Sequence, residues 1–101
     1  MSPIVMKFGG TSVADLERIN HVADLVAKQA ETSPGGVAVI VSAMAGQTNH
    51  LVSLATGAAG AGVVGENFDD EYDVIVSSGE QVTSGLLALA LRKRGLKARS
   101  W

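Results

Sequence analysis

Residues 37–41, Val-Ala-Val-Ile-Val, constrain the fold of this chain more than any other stretch. The run is unbroken, apolar and mostly β-branched, which suits a strand buried on both faces of a parallel sheet. Parallel pairing needs a crossover connection, and the preceding residues supply one. Pro3–Phe8 is a short β-prone run closed by Gly9-Gly10. Val13, Leu16, Ile19, Val22, Ala23 and Val26 then recur three or four apart, while Asp15, Glu17, Arg18 and Lys28 fall largely on the other side of the same helix. Ser12 is placed to cap that helix, with Asp15 three residues on in a capping-box position. The turn chemistry of Thr32–Gly36 ends it. Strand, helix and strand at this spacing make a βαβ unit, with a right-handed crossover expected.

After Ser42 the pattern changes. Ser42–Thr48 is a loop of small residues, and Thr48 or Asn49 is placed to cap a helix running to about Ala59. Residues 57–65, GAAGAGVVG, have the composition of a loop tip. Within Phe68–Ser78 the run Tyr72–Ser78 suits a strand by propensity, but the acidic start and the spacing of Phe68, Tyr72 and Ile75 favour a helix. A further helix begins at Gly79, with Glu80 at its start and Arg92, Lys93 and Arg94 at its C-terminal end, where the dipole favours cations. Gly95 is well placed just beyond it as a C-cap glycine. Leu96–Trp101 reads as the beginning of a third strand.

The chain has 101 residues, of which 47% are hydrophobic and 18% charged, with a net charge of −2. That is one domain of ordinary globular composition. The acidic balance and 4% aromatic content argue against nucleic-acid binding, which calls for a basic face and stacking platforms. The absence of cysteine excludes disulfides and thiolate chemistry. The N-terminal residues lack the pattern of a secretory signal, and no uninterrupted apolar run approaches a membrane span, so no membrane partner and a cytoplasmic location are expected.

The chemistry concentrates in the first turn. Gly9-Gly10 between a strand and a helix leaves bare N–H groups to which an anion can come close, and the helix adds a positive dipole end. Lys7 stands at the carboxyl end of its strand, the edge where open α/β sheets bind ligands. The order of residues fits neither GxxxxGK[ST] nor GxGxxG. A tight turn beside an edge charge would give the same residues without any ligand. His21 falls at the edge of the first helix, and His50 begins another helix with no second metal ligand near it, so no metal site is expected.

With these residues in view, KFGGTSVAD (residues 7–15) resembles the N-terminal signature of the aspartate kinases, within the amino-acid kinase superfamily. The similarity extends to Val41–Asn49, VSAMAGQTN, and to residues 77–91, SSGEQVTSGLLALAL. It implies an α/β fold, part of a three-layer αβα sandwich of the carbamate kinase-like type with a mostly parallel sheet. It also implies that residues 1–101 are the N-terminal lobe, without the nucleotide-binding half and the ACT regulatory domains. The implied reaction is phosphoryl transfer from ATP, accompanied by Mg²⁺, to the β-carboxylate of L-aspartate. The product, 4-phospho-L-aspartate, leads to lysine, threonine and methionine.

By this resemblance Lys7 is catalytic, and Lys7, Phe8, Gly9, Gly10 and Thr11 meet the ATP phosphates. Ser42, Thr48 and Glu80 line the aspartate pocket, with Glu80 toward the α-ammonium group. Local capping remains the competing explanation for all three of these pocket residues. Another amino-acid kinase specificity, or a non-catalytic assembly lobe, stays open. A homo-oligomer, or pairing with the remainder of the enzyme, is the expected state, and the lobe alone is expected to be inactive.

Overall fold

A computed structural model describes residues 2–60 and 69–101. Its elements run β1 (Ile4–Phe8), a 3₁₀ turn (Gly10–Val13), α1 (Leu16–Glu31), β2 (Val37–Val41), α2 (Gln47–Ala59) and α3 (Asp69–Lys93). β1 and β2 pair in parallel, from Ile4 opposite Val37 to Phe8 opposite Val41. α1 is the connection between them, so the expected βαβ unit is present.

Side chains alternate across this two-stranded ribbon. Met6, Phe8, Val37, Val39 and Val41 pack against a core of Val13, Ile19, Val22, Ala23, Val26, Leu87 and Leu91. Each fully buried aliphatic side chain contributes about 1.5–3 kcal/mol, so this face holds the unit together. On the other face Val5 is 62% exposed and Ile40 52%. Residues 37–41 are thus covered on one face among the described residues, not on both as their composition implies. The described residues make two layers, a small parallel sheet and its helices, and not a complete three-layer sandwich.

Each helix start differs from the sequence-based expectation. Gly10–Val13 winds as a 3₁₀ turn, and Asp15, not Ser12, caps α1, its Oδ1 accepting the Arg18 N–H at 2.8 Å. A carboxylate there satisfies an orphan donor and also meets the positive end of the helix dipole. α2 begins after Gly46, whose φ of +83° is open to glycine at little cost. Backbone shape therefore sets that start, and Thr48 and Asn49 fall inside the first turn.

One continuous helix, α3, replaces the two expected on either side of Gly79. Gly79 is buried, and a Cβ there would lie 3.0 Å from the Ala43 Cβ and 3.1 Å from the Leu51 Cδ1. Close packing outweighs the roughly 0.5–1 kcal/mol that glycine costs inside a helix. The helical reading of residues 69–78 holds. Phe68 and residues 61–65 of the expected loop tip lie outside the described residues, and Gly57–Ala59 are the last turn of α2. By length and composition α3 could cross a membrane. In this fold one stripe of it packs on the core, burying Thr83, Leu87 and Leu91, while Val74, Val82 and Leu89 stay exposed.

α3 ends as expected at Gly95, with φ +86°. The Gly95 N–H donates to the Arg92 carbonyl at 2.9 Å and the Leu96 N–H to the Leu91 carbonyl at 3.2 Å, the two bonds of a Schellman motif. Arg94 then ties α3 to α1, donating to Asp24 Oδ1 at 2.8 Å and to the Asn20 carbonyl at 3.1 Å. The expected third strand does not form. Leu96–Trp101 has no ladder partner among the described residues, and the Ala98 carbonyl accepts instead from Arg92 Nε at 2.7 Å. Trp101 is fully exposed, with the Arg99 guanidinium 4.9 Å from its ring centroid.

Candidate functional site

The carboxyl ends of β1 and β2 lie side by side, joined where the Ser42 N–H donates to the Phe8 carbonyl at 3.2 Å. Beyond Phe8 the chain turns at once, with the Ser12 N–H donating to the Gly9 carbonyl at 3.0 Å. The N–H groups of Gly9, Gly10 and Thr11 meet no acceptor among the described residues. Three consecutive N–H groups are left without a partner at the start of the 3₁₀ turn, donors of the kind that can meet an anion.

The two glycines have different reasons. A Cβ at Gly10 would lie 3.1 Å from the Ala43 carbonyl oxygen, so packing against the second loop excludes a side chain. Gly9 has φ −81°, open to any residue, and a Cβ there would meet nothing within 4 Å. Neither backbone conformation nor packing among the described residues demands glycine at position 9. Its bare backbone leaves room for a group from outside the chain.

Lys7 is exposed and stands opposite Ile40, one residue inside the end of β1. The Phe8 side chain packs on the core, so only its backbone belongs to the edge. The Thr11 carbonyl accepts from Arg18 Nη1 at 2.7 Å, which ties the turn to α1. Ser42 is half-buried at the end of β2, next to this turn. Lys7, the glycine turn and Ser42 are therefore brought to one edge.

The remaining predicted residues are not gathered there. Glu80 is exposed in the middle of α3, so helix-start capping does not explain it. It lines a separate cleft of about 360 Å³ with Val39, Ile40, Val41, Ser77 and Ser84. Neither Lys7 nor Ser42 lines that cleft. Thr48 is exposed in the first turn of α2 and lines neither feature. Reading the sequence missed Arg18, Ala43 and Gly79. Only the small residues around Ala43 carried a signal, since close packing needs them; Arg18 looked like an ordinary solvated charge.

The amino acid kinase family model matches residues 2–100. The chain belongs to the amino acid kinase family. It is 50% identical over 101 residues to an aspartate kinase of Pseudomonas fluorescens (strain SBW25), a match that covers 100% of this chain and 24% of that protein. The chain thus spans less than a quarter of that curated relative. Among solved structures, aspartate kinase from Synechocystis superposes with a TM-score of 0.79 at 39% identity, covering 92% of this chain and 15% of that one. Escherichia coli aspartokinase III in complex with aspartate and ADP gives 0.73 at 25% identity, covering 97% of this chain and 30% of that one.

Proposed function

We propose that residues 1–101 are the N-terminal lobe of an aspartate kinase, transferring the γ-phosphoryl group of ATP to the β-carboxylate of L-aspartate. The observation that carries this reading is the row of open N–H groups at Gly9, Gly10 and Thr11, beside Lys7 at the sheet edge. The aspartate and ADP bound by the E. coli relative support the choice of substrates. A carboxylate oxygen of aspartate attacks the γ-phosphorus as the bond to the β-phosphate oxygen breaks, releasing ADP and giving 4-phospho-L-aspartate. The acceptor is already ionised at neutral pH, so no general base is needed.

In this proposal Lys7 and the turn neutralise charge on the phosphoryl oxygens, and Phe8 contributes only through its backbone. Mg²⁺ bound with the nucleotide would neutralise phosphate charge. In the same proposal Ser42, Thr48 and Glu80 contact aspartate, Glu80 meeting its α-ammonium group, with Ser42 alone of the three standing at the edge beside the turn. The remainder of the enzyme supplies the third layer of an αβα sandwich, covering Val5 and Ile40, and most of the nucleotide site. The product enters lysine, threonine and methionine synthesis.

The test uses a complete kinase that carries this lobe, either its own full-length frame or the P. fluorescens enzyme with its matching segment replaced by residues 1–101. Trapping of the acyl phosphate with hydroxylamine is expected with aspartate, and not with glutamate or acetylglutamate. Glu80→Gln is expected to raise the aspartate KM about ten- to a hundredfold, the range for losing a charged hydrogen bond, with the ATP KM nearly unchanged. Residues 1–101 alone are expected to self-associate through the bare sheet face and to turn over no ATP. Acyl phosphate formed only from another acceptor, or by the lobe alone, overturns the proposal.

A further inference from the structure

Arg18 lies on the first turn of α1, outside every residue so far given a chemical role. Its Nη1 donates to the Thr11 carbonyl at 2.7 Å. The other end of that peptide unit is the Ser12 N–H, which donates to the Gly9 carbonyl at 3.0 Å. The far end of the next peptide unit is the Gly10 N–H, one of the three open donors. A guanidinium, two peptide units and an open N–H thus form one hydrogen-bonded series. Its members polarise one another, by roughly 10–30% per bond, with the positive charge at the closed end.

The root of Arg18 is also fixed, because its own N–H donates to Asp15 Oδ1 at 2.8 Å. The side chain is exposed, so burial does not force the bond to Thr11. An exposed ion or hydrogen bond of this kind contributes little to stability. What the bond does fix is orientation. A rotation of the Thr11–Ser12 peptide unit would break the bond that closes the turn and let a carbonyl oxygen face an incoming anion.

We propose that Arg18 is a positioning residue for phosphoryl transfer. It holds the Thr11 carbonyl back against α1, so that the N–H groups of Gly9–Thr11 stay turned toward the nucleotide phosphates, and it strengthens the Gly10 donor through the peptide chain. This rests on the reading of the turn as a phosphate site. The role differs from that of Lys7, which meets the phosphates itself, because Arg18 acts through main-chain groups alone.

The experiment measures kcat, both KM values and the thermal midpoint for Arg18→Ala, Arg18→Lys and Lys7→Ala in the complete kinase. Arg18→Ala is expected to lower kcat/KM for ATP about tenfold, less than the roughly 10²–10³ lost with a donor that meets the charge directly. The aspartate KM and the thermal midpoint should stay near the parent values. Arg18→Lys should recover part of the loss, and free guanidinium added at millimolar concentration should recover part of it in Arg18→Ala. If Lys7→Ala is crippled while Arg18→Ala behaves as the parent, the Arg18 proposal fails and the phosphate site stands. If Arg18→Ala loses activity only in step with its thermal midpoint, Arg18 is structural and the proposal fails again. If Lys7→Ala is also unaffected, the phosphate reading fails with it.

Discussion

The two strand-to-helix loops at the carboxyl edge are neighbours, yet they are held in opposite ways. The loop after β1 is fixed from behind by charged side chains, Asp15 at the Arg18 N–H and Arg18 at the Thr11 carbonyl, while its front keeps three donors open among the described residues. The loop after β2 has no side-chain cap at its helix and is held by contact. Its buried Ala43 sits between Gly10 on one side and Gly79 on the other. Polar ties leave a backbone surface free for a ligand, whereas close apolar packing uses its surface up. In the proposed reading the first loop binds and the second supports it.

The sharpest way to break this comparison is at the front of the first loop. Lys7→Ala is expected to lower kcat of the complete kinase by about 10²–10³, since it removes an electrostatic donor from the charge that develops in transfer. Thermal stability should hardly change, because Lys7 is exposed. An unchanged kcat, read under saturating ATP and aspartate, would place the binding surface elsewhere.

A smaller effect is expected behind the second loop. Gly79→Ala forces a methyl group to within 3.0 Å of the Ala43 Cβ and should destabilise by about 1–3 kcal/mol. Gly85 lies in the same helix with nothing among the described residues within 4 Å of an added Cβ, so Gly85→Ala should stabilise by about 0.5–1 kcal/mol. Denaturant midpoints of the two variants should therefore move in opposite directions. Equal shifts would mean that helix propensity, not contact with Ala43, governs both sites.

The smallest effect tests the ties of the first loop. Asp15→Ala removes the α1 cap and should cost about 1 kcal/mol. Because Arg18 then loses the partner of its own N–H, a modest rise in the ATP KM should accompany the fall in stability. A fall in stability with no change in KM would separate the cap from the binding surface.

What could be read from the sequence follows from how local each signal is. The βαβ unit was legible because the spacing from Val13 to Val26 and the run Val37–Val41 are properties of short windows. Gly95 was legible for the same reason, since a glycine after three basic residues needs no distant partner to end a helix. The errors arose where a distant contact decides. Gly79 looked like a helix boundary because nothing nearby shows that Ala43 and Leu51 will press on it. Leu96–Trp101 has strand composition, but pairing needs a neighbour that the described residues do not contain.

The candidate site shows the same division. Lys7, Gly9, Gly10 and Ser42 fall at adjacent strand ends, and strand ends are predictable from strands. Glu80 was placed at a helix start, and it lies mid-helix in a separate cleft, because its position depends on where α3 begins. Arg18 was invisible as a site residue, since its partner is a carbonyl and carbonyls have no identity in a sequence.

Trp101 has a practical consequence for anyone following this lobe in solution. It is the single tryptophan and is fully exposed, so intrinsic emission should be red-shifted and open to quenching by iodide from the start. Unfolding of the Ile19–Leu91 core would then pass almost unseen in a tryptophan fluorescence melt. The same indole becomes a sensitive reporter of docking, because any surface that covers it would shift its emission to the blue.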